Sequence, residues 1–436
     1  MTVARPNAAL TGRSFLFLQS MPTRFFERLG SALAARGHAV YRVNFNGGDR
    51  AFWRIGNAID FRGRAQEWPR FLDDLICNRA ISDIILFGDC RPLHRAAIRL
   101  AKERSLLVHV VEEGYMRPGW ITFEKDGVNG YSPLPKVPDW YRERARELPE
   151  WQWPQPKVRD SFRRRAFEDI LYNLASAVAI WRFPHYRSHR PYYLLIEYAG
   201  WLRRLALLRR SERQAAAAIT ALTGDPIYLL PLQLDCDYQM RVHSRFRTSS
   251  LAIDHVLGSF SHHAPSAARL IVKLHPMDSG LVNWTGMIGH VATEHMVADR
   301  VTVVDGGGLP KLLARAHGVV TVNSTVGAAA LAKGLPVIAL GDAVYDIRGL
   351  TYQGDLDRFW TEATPPDAEL FDAFRRVLAA SCMIPGSFFN DMGLRLAVEA
   401  AVRRLEAASI RPTHDQAEDR DHVAAGLVEP IAANSA

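Results

Sequence analysis

The stretch ISDIILFGDCRPLHRAAIRLAKERSLLVHVVEEG, Ile81 to Gly114, decides the fold. Its opening, ISDIILFG, is a short apolar run closed by a glycine, fit for a strand buried on both faces. RPLHRAAIRLAKERS follows, with a proline at its start and apolar residues at helical spacing. LLVHVVEEG (Leu106 to Gly114) is a second apolar run. Strand, helix and strand at this spacing predict parallel strands, because a parallel pair needs a crossover long enough to hold a helix. The pattern extends upstream: SFLFLQ (Ser14 to Gln19) reads as a strand, and FFERLGSALAARG as a helix capped by Gly37. HAVYRVNF (His38 to Phe45) is another strand, and NGGD (Asn46 to Asp49) a turn.

Downstream, residues 133–157 are rich in Pro and Trp and read as an irregular connection. A helical, basic and aromatic stretch runs to about Leu222. Alternation then resumes with strands at Pro226 to Leu234, Ala268 to Pro276, Val301 to Gly306, Gly318 to Ser324 and Pro336 to Gly341. SFFNDMGLRLAVEAAVRRLEAA (Ser387 to Ala408) reads as a closing helix, and the polar tail after it as disordered. The expected fold class is therefore α/β, with two doubly wound, Rossmann-like domains facing a cleft and a helical basic insertion. The expected divisions are 12–222, 223–408 and a tail at 409–436, with the basic segment at 157–213.

Composition narrows the class. The 436 residues are 48% hydrophobic and 23% charged, an ordinary globular balance. The longest apolar candidate, Leu171 to Trp181, is interrupted by Asn173 and Ser176 and falls short of the roughly 20 residues a spanning helix needs. MTVARPNAALTGR lacks the apolar core of a signal peptide, so a cytoplasmic protein is expected. Cys77, Cys90, Cys236 and Cys382 show no CxxC pair, which reads as reduced thiols without a metal site. Lys157 to Arg213 holds thirteen basic residues against five acidic ones, matching the +8 of the whole chain. Such a local block points to a local anionic partner. Within it, WRFPHYRSHRPYYLLIEYAGWLRRLALLRR (Trp181 to Arg210) interleaves aromatics and arginines with apolar residues at helical spacing. It fits a membrane interface or an ordinary helix with a solvated basic face; no nucleic-acid motif accompanies it.

The chemistry gathers at strand ends, where open parallel sheets bind ligands. In TVNSTVGAAALAKGLPVIALG (Thr321 to Gly341), Asn323, Ser324 and Thr325 precede a helix with Gly327 in its first turn, an arrangement suited to phosphate. It resembles the donor-nucleotide half of GT-B glycosyltransferases, and it also fits a plain N-capped helix. KLHP (Lys273 to Pro276) places His275 at a strand exit, with Lys273 turned to the opposite face. PLQLDCDYQMRVHS (Pro231 to Ser244) sets Asp235 and Asp237 after a buried strand, near Gln233. In the first half, Glu112 and Glu113 end a strand and are followed by Tyr115 and Arg117. Arg91, Arg117 and the loop QSMPTRF, with Arg24, could meet over one cleft, where arginine forks suit an anionic sugar.

Together, FLQSMPTRFFERLGSALAARGHAVYRVNFNGGD, EEGYMRPGWITFE, LLPLQLDCDYQ, KLHP and NSTVGAAALAKGLPVIALGDAVYDIRGLTYQGDLDRFW resemble the capsule polysaccharide biosynthesis and export family of the KpsS type, in that order along residues 14–400. The resemblance implies a GT-B-like fold and retaining transfer of β-Kdo from CMP-β-Kdo to a lysophosphatidylglycerol-type lipid at the inner membrane face. The product would begin a poly-Kdo linker, extended by a companion Kdo transferase and passed to the capsule export machinery. By the family's register the nucleophile is Asp237, with Asp235 the alternative. Glu113 is the expected base and Glu112 its alternative. His275, Asn323, Ser324, Thr325, Gly327 and Gln233 would hold the donor; Arg91, Arg117, Tyr115 and Arg24 the sugar or acceptor. No metal or cofactor is expected. A non-catalytic export or assembly factor, or a GT-B transferase using another nucleotide sugar, are the other readings.

Overall fold

A computed structural model describes residues 12–188, 194–222, 226–235 and 237–407. The expected tail at 409–436 lies outside them. Two sheets carry the architecture. The first contains β1 (Ser14–Phe17), β2 (Ala39–Asn44), β3 (Ala58–Asp60), β4 (Asp83–Phe87), β5 (Leu107–Glu113) and β6 (Trp120–Lys125). The second contains β7 (Ile227–Pro231), β8 (Arg269–Lys273), β9 (Val301–Val304), β10 (Gly318–Thr321) and β11 (Val337–Ala339). A last strand, β12 (Met383–Pro385), joins the first sheet. The orders are β12-β6-β5-β4-β1-β2-β3 and β11-β10-β7-β8-β9.

All neighbours in the second sheet are parallel, as are β3 to β5 in the first. Each sheet reverses its winding once, between β1 and β4 and between β7 and β10. Crevices open at such switch points beyond the strands' carboxyl ends. The segments after β1, β4, β7 and β10 are therefore the ones the topology aims at ligand. Buried apolar residues explain the strands: β1, β4 and β7 are buried throughout, as parallel strands covered on both faces must be. This is the GT-B-like, doubly wound α/β arrangement the alternation implied.

Three details differ from the sequence reading. β6 and β12 run antiparallel at one edge of the first sheet. The closing helix, Asp391–Ala407, expected within 223–408, packs on the first half: Leu394, Ala397, Ala401 and Leu405 share a core with Phe25, Phe26, Leu29 and Leu33. The cause is β12, which returns the chain to β6 and seats Phe388 against Phe25 and Phe87. Finally, the connection at 133–157 contains a helix, Pro138–Ala145, whose Tyr141 packs on Phe374.

The basic segment forms two helices, Phe162–Val178 and Leu194–Ala221. No helix among the described residues is long and apolar enough to cross a membrane. The two helices and the short turn Ile180–Arg182 after the first nonetheless leave large apolar side chains exposed: Phe167 is 65% exposed, Trp181 75% and Leu195 81%. Phe162, Ile170, Leu174, Val178, Ile180, Leu202 and Leu205 are exposed beside them. An ordinary helix with a solvated basic face would bury its apolar side on the core, and these residues are not buried there.

Candidate active site

The carboxyl end of β5 delivers Glu112 and Glu113 side by side, and alternation sends them to different neighbours. Glu113 accepts from Arg165 Nη1 at 2.6 Å and pairs with Arg117 Nη1 at 2.9 Å. Burial alone would raise its pKa, but Arg117 and Arg165, with His275 beyond them, outweigh it and hold the carboxyl at about 2. Glu112 meets the opposite environment. Burial pushes it up first, then the charges of Asp237 and Glu113, against weaker help from the Glu113 N–H and Arg91; it rises to about 8. Its Oε2 lies against Gly88, which turns with φ +68 at the end of β4. Of the two glutamates Glu113, the expected base, is the poor proton acceptor, and Glu112 is the one tuned near neutrality.

The second half contributes from the end of β7. Asp237, which follows that strand, faces the first half closely enough to raise both Glu112 and the Cys90 thiol. Asp235 turns the other way: its Oδ1 accepts the Ser249 N–H at 2.7 Å, at the start of the Ser249–His263 helix. That is a capping interaction, so the structure separates two aspartates the sequence left open.

After β8, His275 Nδ1 accepts the Met277 N–H at 3.1 Å. The neutral ring therefore carries its proton on Nε2, as a donor. Burial, followed by Arg117, Lys273 and Arg165, outweighs Glu113 and lowers its pKa to about 4, so it is neutral at pH 7. Lys273 is half-buried, its Nζ donating to the Leu274 carbonyl at 3.3 Å.

After β10 the expected phosphate cradle is occupied largely by the protein itself. Gln233 and Asn323 bond each other twice, at 2.8 and 3.1 Å, tying the end of β7 to the end of β10. These bonds position the loop between the two strand ends. Ser324 Oγ accepts the Val326 N–H at 3.2 Å, capping the helix Thr325–Leu331. Thr325 sits half-buried in the first position of that helix. Gly327 does not leave open room for a ligand: a Cβ there would meet Tyr345 Cζ at 2.5 Å. The ring, whose hydroxyl donates to the Ser324 carbonyl at 2.5 Å, fills that space.

The sugar or acceptor group divides similarly. Arg91 does reach the loop after β1, donating to Gln19 Oε1 at 3.1 Å and the Ser20 carbonyl at 3.3 Å, and it lies near Glu112. Arg117 sits at the cleft with Glu113. Arg24 pairs with Glu27 at 2.8 Å on its own helix instead. Tyr115 is 3% exposed, its hydroxyl donating to Glu124 at 2.9 Å and accepting from the Asn129 N–H at 2.7 Å. With its bonding complete inside the fold, Tyr115 is structural.

Sequence reading missed three features. Arg165 and Arg204 come from the basic helices, and nothing in that block's composition marked which arginines turn inward. Tyr345 has no motif. Asp89, Cys90 and His243 place ligand-type atoms within 4.8 Å of one another, all buried. The Cys90 thiol donates to Asp89 at 3.1 Å and lies 3.3 Å from His243 Nε2. This clasp joins the two halves, so a cysteine grouping exists that linear spacing could not show. Burial and the surrounding carboxylates hold the thiol protonated.

Two α/β lobes with strand ends and paired carboxylates turned on one cleft define a GT-B-like protein. The chain belongs to the capsule polysaccharide biosynthesis protein family, whose model matches residues 82–389. It is 35% identical over 384 residues to the capsule polysaccharide export protein KpsS of Escherichia coli, covering 87% of this chain and 98% of that one. It is 36% identical over 399 residues to the capsule polysaccharide modification protein LipB of Neisseria meningitidis serogroup A, covering 88% and 94%. A solved structure of Thermosulfurimonas dismutans KpsC, a beta Kdo 2,7 transferase, aligns at 17% identity over 90% of this chain and 99% of that one, with a TM-score of 0.43.

Proposed function

We propose that this chain is a retaining glycosyltransferase that moves β-Kdo from CMP-β-Kdo to a lysophosphatidylglycerol-type lipid, beginning the poly-Kdo linker of a capsule polysaccharide. The observation that carries this reading is the pair Asp237 and Glu112, brought from two different strand ends within electrostatic reach of each other. Retention favours two displacements, which need one carboxylate as nucleophile and a second group to manage protons. Asp237 attacks the anomeric carbon; its ester bond forms as the bond to the CMP phosphate breaks, and the electron pair leaves with CMP. The Nε2–H of His275 faces that charge, supported by the Thr325 hydroxyl. Glu112 starts protonated; once esterified, Asp237 no longer repels charge on it, so the Glu112 pKa falls and its proton leaves to solvent. Glu112 then takes the proton of the acceptor hydroxyl as that oxygen displaces Asp237. Arg117 and Arg91 suit the carboxylate of the sugar.

The exposed apolar stripe, flanked by Arg163, Arg203, Arg209 and Arg210, supports docking on an anionic membrane surface, where a lysolipid resides. A companion Kdo transferase would extend the product before export. The test is purified protein with CMP-β-Kdo and a fluorescent lysophosphatidylglycerol, the product read by mass. One added Kdo supports the reading. Release of no CMP and no product would favour a non-catalytic assembly factor, and transfer from another nucleotide sugar alone would reassign the donor.

A further inference from the structure

The two exposed helices do not only face outward. Arg165 of the Phe162–Val178 helix donates to Glu113 at 2.6 Å, in the first half of the cleft. Arg204 of the Leu194–Ala221 helix binds the loop after β8 in the second half. It donates to the carbonyls of His275 at 3.2 Å, Pro276 at 3.1 Å and Asp278, and to the Asp305 carboxylate at 2.5 Å. The helices also touch each other, through Asn173 and the Tyr198 hydroxyl at 3.3 Å and through the rings of Phe162 and Trp201.

Helix geometry relates these arginines to the apolar stripe. At about 100° per residue, Phe167, Ile170, Leu174 and Val178 lie roughly 140–220° around the axis from Arg165. By the same count Leu195 and Leu202 lie about 160–180° from Arg204. The Phe162–Val178 helix thus sets Phe167, Ile170, Leu174 and Val178 opposite a guanidinium fixed to the site; on the Leu194–Ala221 helix Leu195 and Leu202 lie opposite Arg204, while the exposed Leu205, Leu207 and Leu208 lie about 40–100° from it. A shift or rotation of either helix moves its arginine with it. Glu113 and the His275 loop are reached from two different helices that share one exposed face.

We propose that Arg165 and Arg204 are positioning residues through which contact of these helices with an anionic bilayer sets the geometry of Glu113 and of the His275 loop, so that the bilayer itself raises turnover. The proposal rests on the membrane-docking face described above. An anionic lipid surface is the fitting partner because the exposed leucines, phenylalanine and tryptophan share their segment with the exposed Arg163, Arg203, Arg209 and Arg210, in a stretch of net +8.

The experiment uses the full chain and vesicles of phosphatidylglycerol or phosphatidylcholine that contain no acceptor. Three readouts are taken: co-sedimentation, hydrogen exchange of segments 112–117 and 274–280, and kcat and KM with CMP-β-Kdo and a water-soluble glycerophosphate acceptor. Phosphatidylglycerol should slow exchange in both segments and raise kcat several-fold, with the donor KM little changed. Arg204→Gln should still sediment with vesicles yet lose the slowing at 274–280 and the gain in kcat. Arg165→Gln should lose the gain, and Arg165→Lys should restore part of it. A triple change at the outer face, Phe167→Ser with Ile170→Ser and Leu174→Ser, should lose sedimentation and gain together, and it leaves both arginines in place. Vesicle binding without any change in exchange or kcat overturns the coupling and leaves the docking face standing. Failure to bind overturns both. Equal stimulation by phosphatidylcholine overturns the anionic assignment. Exchange is read without sugar transfer, so a failed transferase reading would not hide the answer.

Discussion

Replacing Glu112 with glutamine should make the protein more stable at neutral pH while slowing transfer. The Glu112 carboxyl is raised from 4.5 to about 8, first by burial and then by Asp237 and Glu113. At pH 7 the unfolded chain has released this proton and the folded chain keeps it. Retaining it across the interval from 4.5 to 7 costs about 3 kcal/mol, at about 1.4 kcal/mol per unit. Solvent reaches the cleft side of Glu112, which is half-buried by accessible surface, and screens part of this; about 2 kcal/mol is the expected gain. The sign follows from a raised folded-state pKa. The stability Glu112 contributes is full below 4.5 and is lost as pH rises through 8. Glutamine has no proton to exchange, and its oxygen can still accept the Glu113 N–H that Glu112 Oε1 accepts at 3.2 Å. Urea denaturation of both proteins at pH 4.5, 7 and 8.5 reads the difference. It should be near zero at the lowest pH and grow to its maximum at the highest. A pH-independent difference, or a less stable variant at pH 8.5, would refute the environment assigned to Glu112 and with it the proton role.

Other outcomes follow from the same geometry. Asp237→Asn should abolish transfer with CMP affinity nearly intact, whereas Asp235→Asn should retain transfer and lose about 1 kcal/mol of stability by weakening the bond to the Ser249 N–H; isothermal titration, kinetics and urea denaturation together separate them, and the reverse pattern would exchange the two roles. His275→Ala should weaken CMP binding more than lysolipid binding, and unchanged CMP affinity would remove the phosphate assignment. Gly327→Ala should cost about 1–3 kcal/mol by forcing Tyr345 to move, seen as a lower Tm; a neutral result would restore the view that open space for ligand lies there.

Much of the fold was legible because buried parallel strands leave continuous apolar runs and their crossover helices leave a 3.6-residue period. β1, β2, β4, β5, β7, β8, β9, β10 and β11 were all visible this way. β3, β6 and β12 were not. Two have three residues, and the antiparallel β6, with polar Thr122, Glu124 and Lys125, has no such run. The destination of the closing helix depended on a three-residue strand pairing far along the chain, which no local pattern records. At the site, strand-end logic brought out Glu112, Glu113, Asp237 and His275, because topology aims those positions at the crevice. It could not tell ligand-facing groups from groups already engaged. Tyr115, Gln233, Asn323 and Gly327 all occupy suitable positions, but tertiary neighbours use their hydrogen bonds or their space, and Ser324 caps its own helix. Arg165 and Arg204 were hidden for the converse reason: in a block with thirteen basic residues, only packing decides which ones turn inward.

If Asp237 is the nucleophile of a double displacement, peptide mass mapping of the protein incubated with CMP-β-Kdo and no acceptor captures it directly. The expected result is a sugar ester on the peptide containing Asp237, formed with release of CMP, absent from Asp237→Asn and discharged on adding lysolipid. Transfer to lipid without any such adduct, or an adduct on Asp235, Glu112 or Glu113 instead, would contradict it.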